Sequence, residues 1–311
     1  MTDQETLCRE LGAVLPSDRI LRGEPMARHC TFRTGGPADW FLRVSTGREL
    51  TEVLRILRKA GEPYFLLGRG SNILVDDAGY RGAIVTMIPE NGEKTEFTQA
   101  VYDPDLPDCI TAGSGMTLAS LAAFAADHSL TGLEFASGIP GTVGGALVMN
   151  AGAYGGEMKQ VVRSADLLLP DGTVRTFSGE EMQFGYRRSI LKENGGTALR
   201  AVFGLKKGDP AQIRAQMTDY TERRRSKQPL EYGSAGSTFK RPEGHFAGQL
   251  IEEAGLRGFR IGNAGVSLKH CGFVINYGGA TTAEVKAVIA EVQRRVKETS
   301  GVDLEREVIY L

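Results

Sequence analysis

Several things are scarce in this chain, and each scarcity removes a class of function. There are four cysteines, at positions 8, 30, 109 and 271, and four histidines. No Cys-x-x-Cys pair occurs and no His spacing suggests zinc, so neither a disulfide framework nor a metal centre is expected. The cysteines read as reduced thiols of a cytosolic protein. No apolar run approaches the roughly 20 residues needed to span a bilayer. The opening segment, MTDQETLCRELG, is too polar and acidic for a signal peptide. The chain therefore reads as soluble and cytoplasmic, without a membrane partner. An excess of one charge is also missing: 37 Lys and Arg face 38 Asp and Glu, a net charge of −1. Bulk electrostatics suggest no nucleic-acid partner. No internal repeat or low-complexity tract is visible.

Glycine, in contrast, is abundant: 40 of 311 residues, about 13% against the usual 7% or so. Eight of them fall in Gly132–Glu157, GLEFASGIPGTVGGALVMNAGAYGGE. Flexible linkers lack buried anchors, but here Leu133, Phe135, Ile139, Val143, Leu147, Val148 and Met149 interleave with the glycines. Buried backbone must find partners for its N–H groups, and successive amides in tight turns form anion-binding concavities. The run reads as a pyrophosphate cradle, with a glycine-rich turn between core strands as the plainer alternative. A second loop, Gly68-Arg69-Gly70-Ser71-Asn72, follows the apolar run Tyr64–Leu67. It lacks the third glycine of a dinucleotide fingerprint and the Lys-Ser/Thr of a P-loop. Ile73-Leu74-Val75 follow, so the unit is strand–turn–strand, and a phosphate here would meet turn amides and the Ser71 hydroxyl.

The rest of the chain alternates strands with occasional helices, which predicts an α+β fold. Leu7, Leu11 and Val14 mark a short opening helix. Thr31, Phe32 and Thr34 suggest a strand ended by Gly35-Gly36-Pro37, and Trp40, Leu42 and Val44 a second. Thr46 and Glu49 form a capping box for a helix with Leu50, Val53, Leu54 and Leu57 on one face, closed at Gly61. Strands are predicted at 64–67, 73–75, 83–85, 110–115, 166–169, 174–177 and 199–205, with a surface excursion over 89–108. Thr117 opens a helix carrying Leu118, Leu121, Ala122 and Ala125. A helix over 209–226 begins at Asp209-Pro210. Another is predicted at 246–254, with strands near 259–261 and 272–276. Thr281 and Glu284 form a second capping box for a helix with Val285, Val288, Ile289, Val292 and Val296 inward, closed at Gly301. The domain change is placed near residue 206.

The motifs TFRTGGPAD (31–39), LGRGSNILV (67–75), GIPGTVGGALVMNAGAYGGE (138–157), GYRRS (185–189), RRRSKQPL (223–230), GSAGSTFKRP (233–242) and LEREV (304–308) run in order along nearly the whole chain. Together they resemble the UDP-N-acetylenolpyruvoylglucosamine reductase family, flavoenzymes of peptidoglycan precursor synthesis. The resemblance implies FAD bound in a region of the vanillyl-alcohol-oxidase (PCMH) type over 1–205, with the final residues 305–311 returning to it, and a substrate-binding domain over 206–304. It implies NADPH as hydride donor and a UDP-sugar nucleotide as substrate. Only about twenty residues separate Ser189 from Asp209, so the chain resembles the shorter subtype, without the loop that carries a substrate tyrosine.

The implied reaction turns an enolpyruvyl ether into a lactyl ether. FAD contacts are expected from Gly68, Gly70, Ser71, Asn72, Pro140, Gly141, Thr142, Gly144 and Gly145, through amides and hydroxyls. Arg187 is expected to hold the charge that develops on the substrate carboxylate, since its planar fork never deprotonates. Arg188 competes, and residue type alone favours a surface ion pair. Ser237 is expected to donate the proton, with a plain turn serine as the other reading. Glu307 is expected to assist or orient, with Glu305 as its neighbour and a solvated edge as the bland alternative. Tyr186, Arg225, Gln228, Lys240 and Arg241 are expected at the substrate, although basic residues ending a helix are also favoured by its dipole. His270 reads as structural. Two other functions fit a nucleotide-binding chain of this kind: an FAD-dependent sugar or alcohol oxidase, and a non-catalytic nucleotide-sugar binder.

Overall fold

Thr46 opens the helix Gly47–Lys59, its hydroxyl accepting from the Glu49 amide at 3.2 Å. The structure in which this is seen is a computed structural model describing residues 3–311; of the polar opening segment, residues 1 and 2 lie outside the described residues. Leu50, Val53, Leu54, Ile56 and Leu57 are buried, as the helical spacing requires. The predicted capping box is half made. The Glu49 carboxylate takes the Ser45 amide at 2.7 Å and Arg19 at 3.0 Å. The helix lies in the first of two compact units, which comprises the chain up to Leu21, Trp40–Arg69 and Gly82–Arg223. Its first core gathers Trp40, Leu42, Leu50, Val53, Leu54, Ala83 and Val85.

A second core in the same unit backs a five-stranded antiparallel sheet. The strand order is Val174–Ser178, Val162–Leu168, Thr197–Gly204, Cys109–Gly113 and Ala100–Tyr102. The turn Pro170-Asp171-Gly172 joins the first two, as predicted, and the edge strand 100–102 lies inside the expected surface excursion. Asp166 links three strands: Thr176 Oγ1 donates to it at 2.6 Å and Arg200 Nε at 2.6 Å. The helices Leu118–Asp127 and Val143–Met149 bury Leu118, Leu121, Val143 and Leu147 in this core.

The second unit comprises Arg22–Asp39, Gly70–Arg81 and Arg224–Leu311. The helix Thr282–Ser300 packs against a three-stranded antiparallel sheet of Arg260–Ile261, Ala264–Val266 and Val274–Asn276. Val285, Val288, Ile289, Val292 and Val296 are all buried. Both halves of the Thr281–Glu284 capping box are made. The next amides, of Thr282 and Ala283, donate to the Asp77 carboxylate at 2.7 and 2.8 Å. The helix thus fills the orphan donors of its first turn with one local and one distant cap. Ile309–Tyr310 pair in parallel with Ile73–Leu74.

The compact units depart from the expected division at 205/206. The change falls inside the helix Pro210–Lys227, near residue 223. Its first part stays with the first unit because Ile213 is buried and Tyr220 stacks on Tyr154. Residues 305–311 group with 70–81 and 224–304 in the second unit. The strand expected over Thr31–Thr34 is not formed. A 3-10 turn at Met26–Arg28 is followed by irregular chain whose backbone groups bond elsewhere: the Thr31 amide to Gly70 O at 3.0 Å, and Phe32 O to Asn276 Nδ2 at 2.9 Å. Pro37 opens a strand, Pro37–Arg43, instead of following one. The strands Ile20–Pro25 and Ala264–Val266 were not expected. Among the described residues no helix is long and apolar enough to cross a membrane, no cluster could hold a metal ion, and all four cysteines are free.

Candidate active site

The first unit holds a cavity lined by Leu66, Leu67, Gly68, Met87, Ile88, Ser114, Gly115, Thr142, Gly144, Gly145, Val148 and Gly196–Ala198. Its walls are mostly apolar, with backbone and hydroxyls supplying the polar points, a lining suited to a ring system with a polar tail. Four residues predicted to touch a cofactor line it: Gly68, Thr142, Gly144 and Gly145. Gly68 is required by contact, since a Cβ there would stand 2.7 Å from Thr142 Oγ1. The segment 143–149 is a short helix, which the glycine-rich run did not advertise. Its first amides are already used. Val143 N donates to Met116 O at 2.9 Å, Gly144 N to Ser114 O at 2.8 Å and Gly145 N to Thr142 Oγ1 at 3.3 Å, while Gly141 N donates to Ile139 O at 2.8 Å. The amides of Gly141, Gly144 and Gly145 are thus bonded within the protein. Gly144 brings backbone close to Ser114, and Pro140 leads the chain into the turn.

The amides suited to an anion are those of the turn after Gly68. Among the described residues, the amides of Arg69, Gly70, Ser71 and Asn72 donate no hydrogen bond to the protein. Gly70 has φ +61°, and a Cβ there would overlap the His29 carbonyl. Adjacent amides in a tight, partly left-handed turn make a nest for phosphate oxygens. By the chemistry of their groups, the cavity's apolar walls fit a flavin ring and the turn's amides fit phosphate oxygens, the two parts of FAD.

Arg187 sits in the same unit at a two-residue turn. The Gly185 amide donates to Arg188 O at 3.0 Å and the Arg188 amide to Gly185 O at 3.2 Å. Arg187 adopts φ +55°, a left-handed angle that costs a non-glycine residue roughly 1–2 kcal/mol. Its guanidinium lies 5.2 Å from the ring centre of Tyr186, which is itself exposed. Arg188, the competing candidate, pairs with Glu193 at 2.6 Å and is accounted for as a surface ion pair. Sequence reasoning missed what holds this turn. Asn150, buried and left-handed at φ +43°, donates through Nδ2 to Gly185 O at 3.2 Å and to Glu157 Oε2 at 3.0 Å. Its Oδ1 accepts the Lys159 amide at 2.9 Å. The signal available was an Asn at the end of a helix, a residue that tolerates the left-handed cap.

The second unit brings Ser237 and Glu307 onto neighbouring stretches of backbone. Phe239 and Arg306 form an antiparallel bridge, the Glu307 amide donates to Thr238 O at 2.9 Å, and the Lys240 amide to Glu305 O at 2.8 Å. Ser237 is exposed at the end of this ladder, beside the left-handed Gly236, while Glu307 is half-buried. Thr238 is fully buried. Its amide donates to Gly272 O at 2.9 Å and its hydroxyl accepts the Val274 amide at 2.9 Å. Lys240 is ion-paired with Glu305, so Glu305 is placed as a surface partner. Arg241 lies 4.2 Å from the ring centre of Phe246. Arg225 is exposed, its carbonyl accepting Lys269 Nζ at 2.6 Å. Gln228 carries a buried Oε1 without a hydrogen-bond partner, an acceptor suited to a ligand donor. His270 is structural, as read: burial lowers its pKa, and Nδ1 accepts the Gly272 amide at 3.1 Å, which fixes a neutral ring. Burial likewise raises the Cys30 and Cys271 thiols, which keeps them unreactive.

The α+β fold with this cavity and nest defines a flavoprotein with an FAD-binding region of the PCMH type: residues 38–178 match an FAD binding domain. The second match narrows the class. Residues 228–311 match the UDP-N-acetylenolpyruvoylglucosamine reductase C-terminal domain. The chain is 47% identical to the UDP-N-acetylenolpyruvoylglucosamine reductase of Agathobacter rectalis, covering 98% of each chain. It is 45% identical to that of Lachnoclostridium phytofermentans, covering 97% of this chain and 96% of the relative. The crystal structure of the Thermus caldophilus reductase superposes with a TM-score of 0.77 at 36% identity, covering 94% of this chain and 98% of that one. The chain belongs to the UDP-N-acetylenolpyruvoylglucosamine reductase family and is an FAD-dependent oxidoreductase.

Proposed function

We propose that this chain reduces the enolpyruvyl ether of UDP-N-acetylglucosamine to the lactyl ether, UDP-N-acetylmuramate, with NADPH as hydride donor. The observation that supports the site assignment is the bridge between Thr238–Lys240 and Glu305–Glu307, which joins the backbone next to a hydroxyl and a carboxylate from distant parts of the sequence. The nest at Arg69–Asn72, the wall at Gly68 and Thr142, and the apolar cavity side chains hold the cofactor. Bound FAD supplies the hydride relay between NADPH and the substrate's terminal enol carbon.

The remaining tasks fall to side chains. Arg187 meets the substrate carboxylate, where negative charge builds as the double bond is reduced, and a guanidinium fixed in place stabilises that charge without reorganising. Its strained angle suits a residue aimed for function. Ser237 Oγ delivers a proton to the alpha carbon, and Glu307 orients the substrate or assists that transfer. Tyr186 and Arg187 form one surface for substrate. Gln228 offers its open acceptor, and Arg225, Lys240 and Arg241 supply positive charge for the diphosphate. Lys240 must exchange Glu305 for phosphate to do so. The reaction draws on NADPH and a UDP-sugar, which places the protein in the cytoplasm.

The purified protein should be yellow. NADPH should bleach it anaerobically, and the enolpyruvyl sugar nucleotide should restore the colour with product two mass units heavier than substrate. Oxygen consumption with a sugar or alcohol in the absence of NADPH would instead identify an oxidase, and a colourless protein that binds UDP-sugars a non-catalytic binder.

A further inference from the structure

The Asn72 side chain does something a phosphate nest does not need. The groups of the Arg69–Asn72 turn suited to an anion are amides, and those are indifferent to the side chain at its last position. In the structure, Asn72 Nδ2 donates to the carbonyl of Glu307 at 3.2 Å, and the carbonyl of Asn72 accepts the Ile309 amide at 3.0 Å. One residue thus grips the chain on both sides of Val308, across 235 positions of sequence. The other edge of Glu307 is held as well, its amide bonded to Thr238 O next to Ser237. Thr238 in turn is fixed by Gly272 and Val274. A continuous set of hydrogen bonds therefore runs from the anion nest through Asn72 to Glu307, and from Glu307 to the backbone that carries Ser237.

We propose that Asn72 is a positioning residue for Glu307: a diphosphate seated on the turn's amides fixes Asn72, and Asn72 fixes Glu307 against the backbone beside Ser237. This rests on the role given above to Glu307 in the reduction. The coupling makes the second half-reaction depend on a side chain that need not touch the substrate, because small displacements of a reacting group lower rates steeply.

Asn72→Asp keeps the shape and removes the donor, and the test uses FAD-loaded protein with rates taken per bound flavin. Reoxidation by the enolpyruvyl substrate should fall about tenfold, well beyond any change in reduction by NADPH. In a Glu307→Gln background the same substitution should add nothing, since both changes act through one residue. Losses that multiply, or equal slowing of both half-reactions, would overturn the proposal. Hydrogen exchange gives a readout apart from turnover. FAD should protect the amides of 69–72 and of 307–308 in the parent protein, but only 69–72 in Asn72→Asp, or in Asn72→Ala where the aspartate variant does not fold; the Ile309 amide, bonded to the main-chain carbonyl of Asn72, serves as the unchanged control. Protection of 307–308 that persists in the variant, or is missing in the parent, also overturns it. Full-rate reoxidation by Glu307→Gln alone would instead sink the role of Glu307.

Discussion

The two compact units hold a side chain of the proposed site in place by different means. In the first, the Arg187 turn is anchored by Asn150 from 35 positions away, and the anchor and the turn both sit at left-handed backbone angles. In the second, Glu307 is anchored by Asn72 from 235 positions away. The first scheme accepts local strain, roughly 1–2 kcal/mol for a left-handed non-glycine residue. The second accepts a longer closure, about 1.7 kcal/mol more than the first from the difference in loop length. The two costs are of similar size, so neither scheme is the more stable by design. They differ in sensitivity: the first responds to changes of backbone, the second to loss of a single long-range bond.

The predictions test that contrast in order of size. Ser237→Ala should slow reoxidation by the substrate about 10³-fold, in the range of general acid catalysis, with reduction by NADPH little changed. A wild-type reoxidation rate would remove Ser237 from the site. Arg187→Gly should lower reoxidation about 10²-fold and yet raise the unfolding free energy by about 0.5–1 kcal/mol, because glycine relieves the left-handed angle. If stability falls instead, the turn is not strained and the contrast with the second unit disappears. Gly70→Ala should destabilise by about 3 kcal/mol and release FAD, read by denaturant titration and by flavin absorbance after desalting.

Two smaller effects separate the units further. Asp77→Ala removes the distant cap from Thr282 and Ala283 and should lower stability by about 1–2 kcal/mol, with exchange rising first in the helix Thr282–Ser300. Asp166 is the local counterpart. Burial pushes its carboxyl upward, but hydrogen bonds from Thr176 and Arg200 prevail and its pKa is lowered. A lowered folded-state pKa contributes stability above the unfolded value that is lost as pH falls through the folded one, so the contribution fades below about pH 4. Arg200 remains mostly exposed, and screening limits the effect to less than about 1 kcal/mol. Asp166→Asn should therefore narrow the stability difference between pH 6 and pH 3 slightly.

Legibility in the sequence followed the same contrast. The helices Gly47–Lys59, Leu118–Asp127 and Thr282–Ser300 could be read from caps and apolar spacing because both signals are local. The Pro170–Gly172 hairpin was legible for the same reason. The helix Val143–Met149 was hidden by Gly144 and Gly145, poor helix formers, of which Gly144 lies against Ser114, where a Cβ would stand 3.1 Å from its Cβ. The irregular stretch at 31–34 read as a strand because Thr and Phe favour strands, whereas its backbone bonds go to Gly70 and Asn276. Residue identities at Arg187, Ser237 and Glu307 came from motifs. The bonds that hold them, from Asn150, Thr238 and Asn72, join positions with no shared local pattern.

The cap that Asp77 places on the helix Thr282–Ser300 also sets an order of events at the ribosome. Residues 70–81 emerge early, but their partners in the helix, in the strand Ile309–Tyr310 and around Glu307 are made more than two hundred codons later. At roughly 5–20 residues per second, the anion nest spends on the order of ten seconds or longer attached to an incomplete unit. The Gly70–Arg81 segment shares this long wait with Phe32, whose carbonyl is taken by Asn276 only 244 positions later.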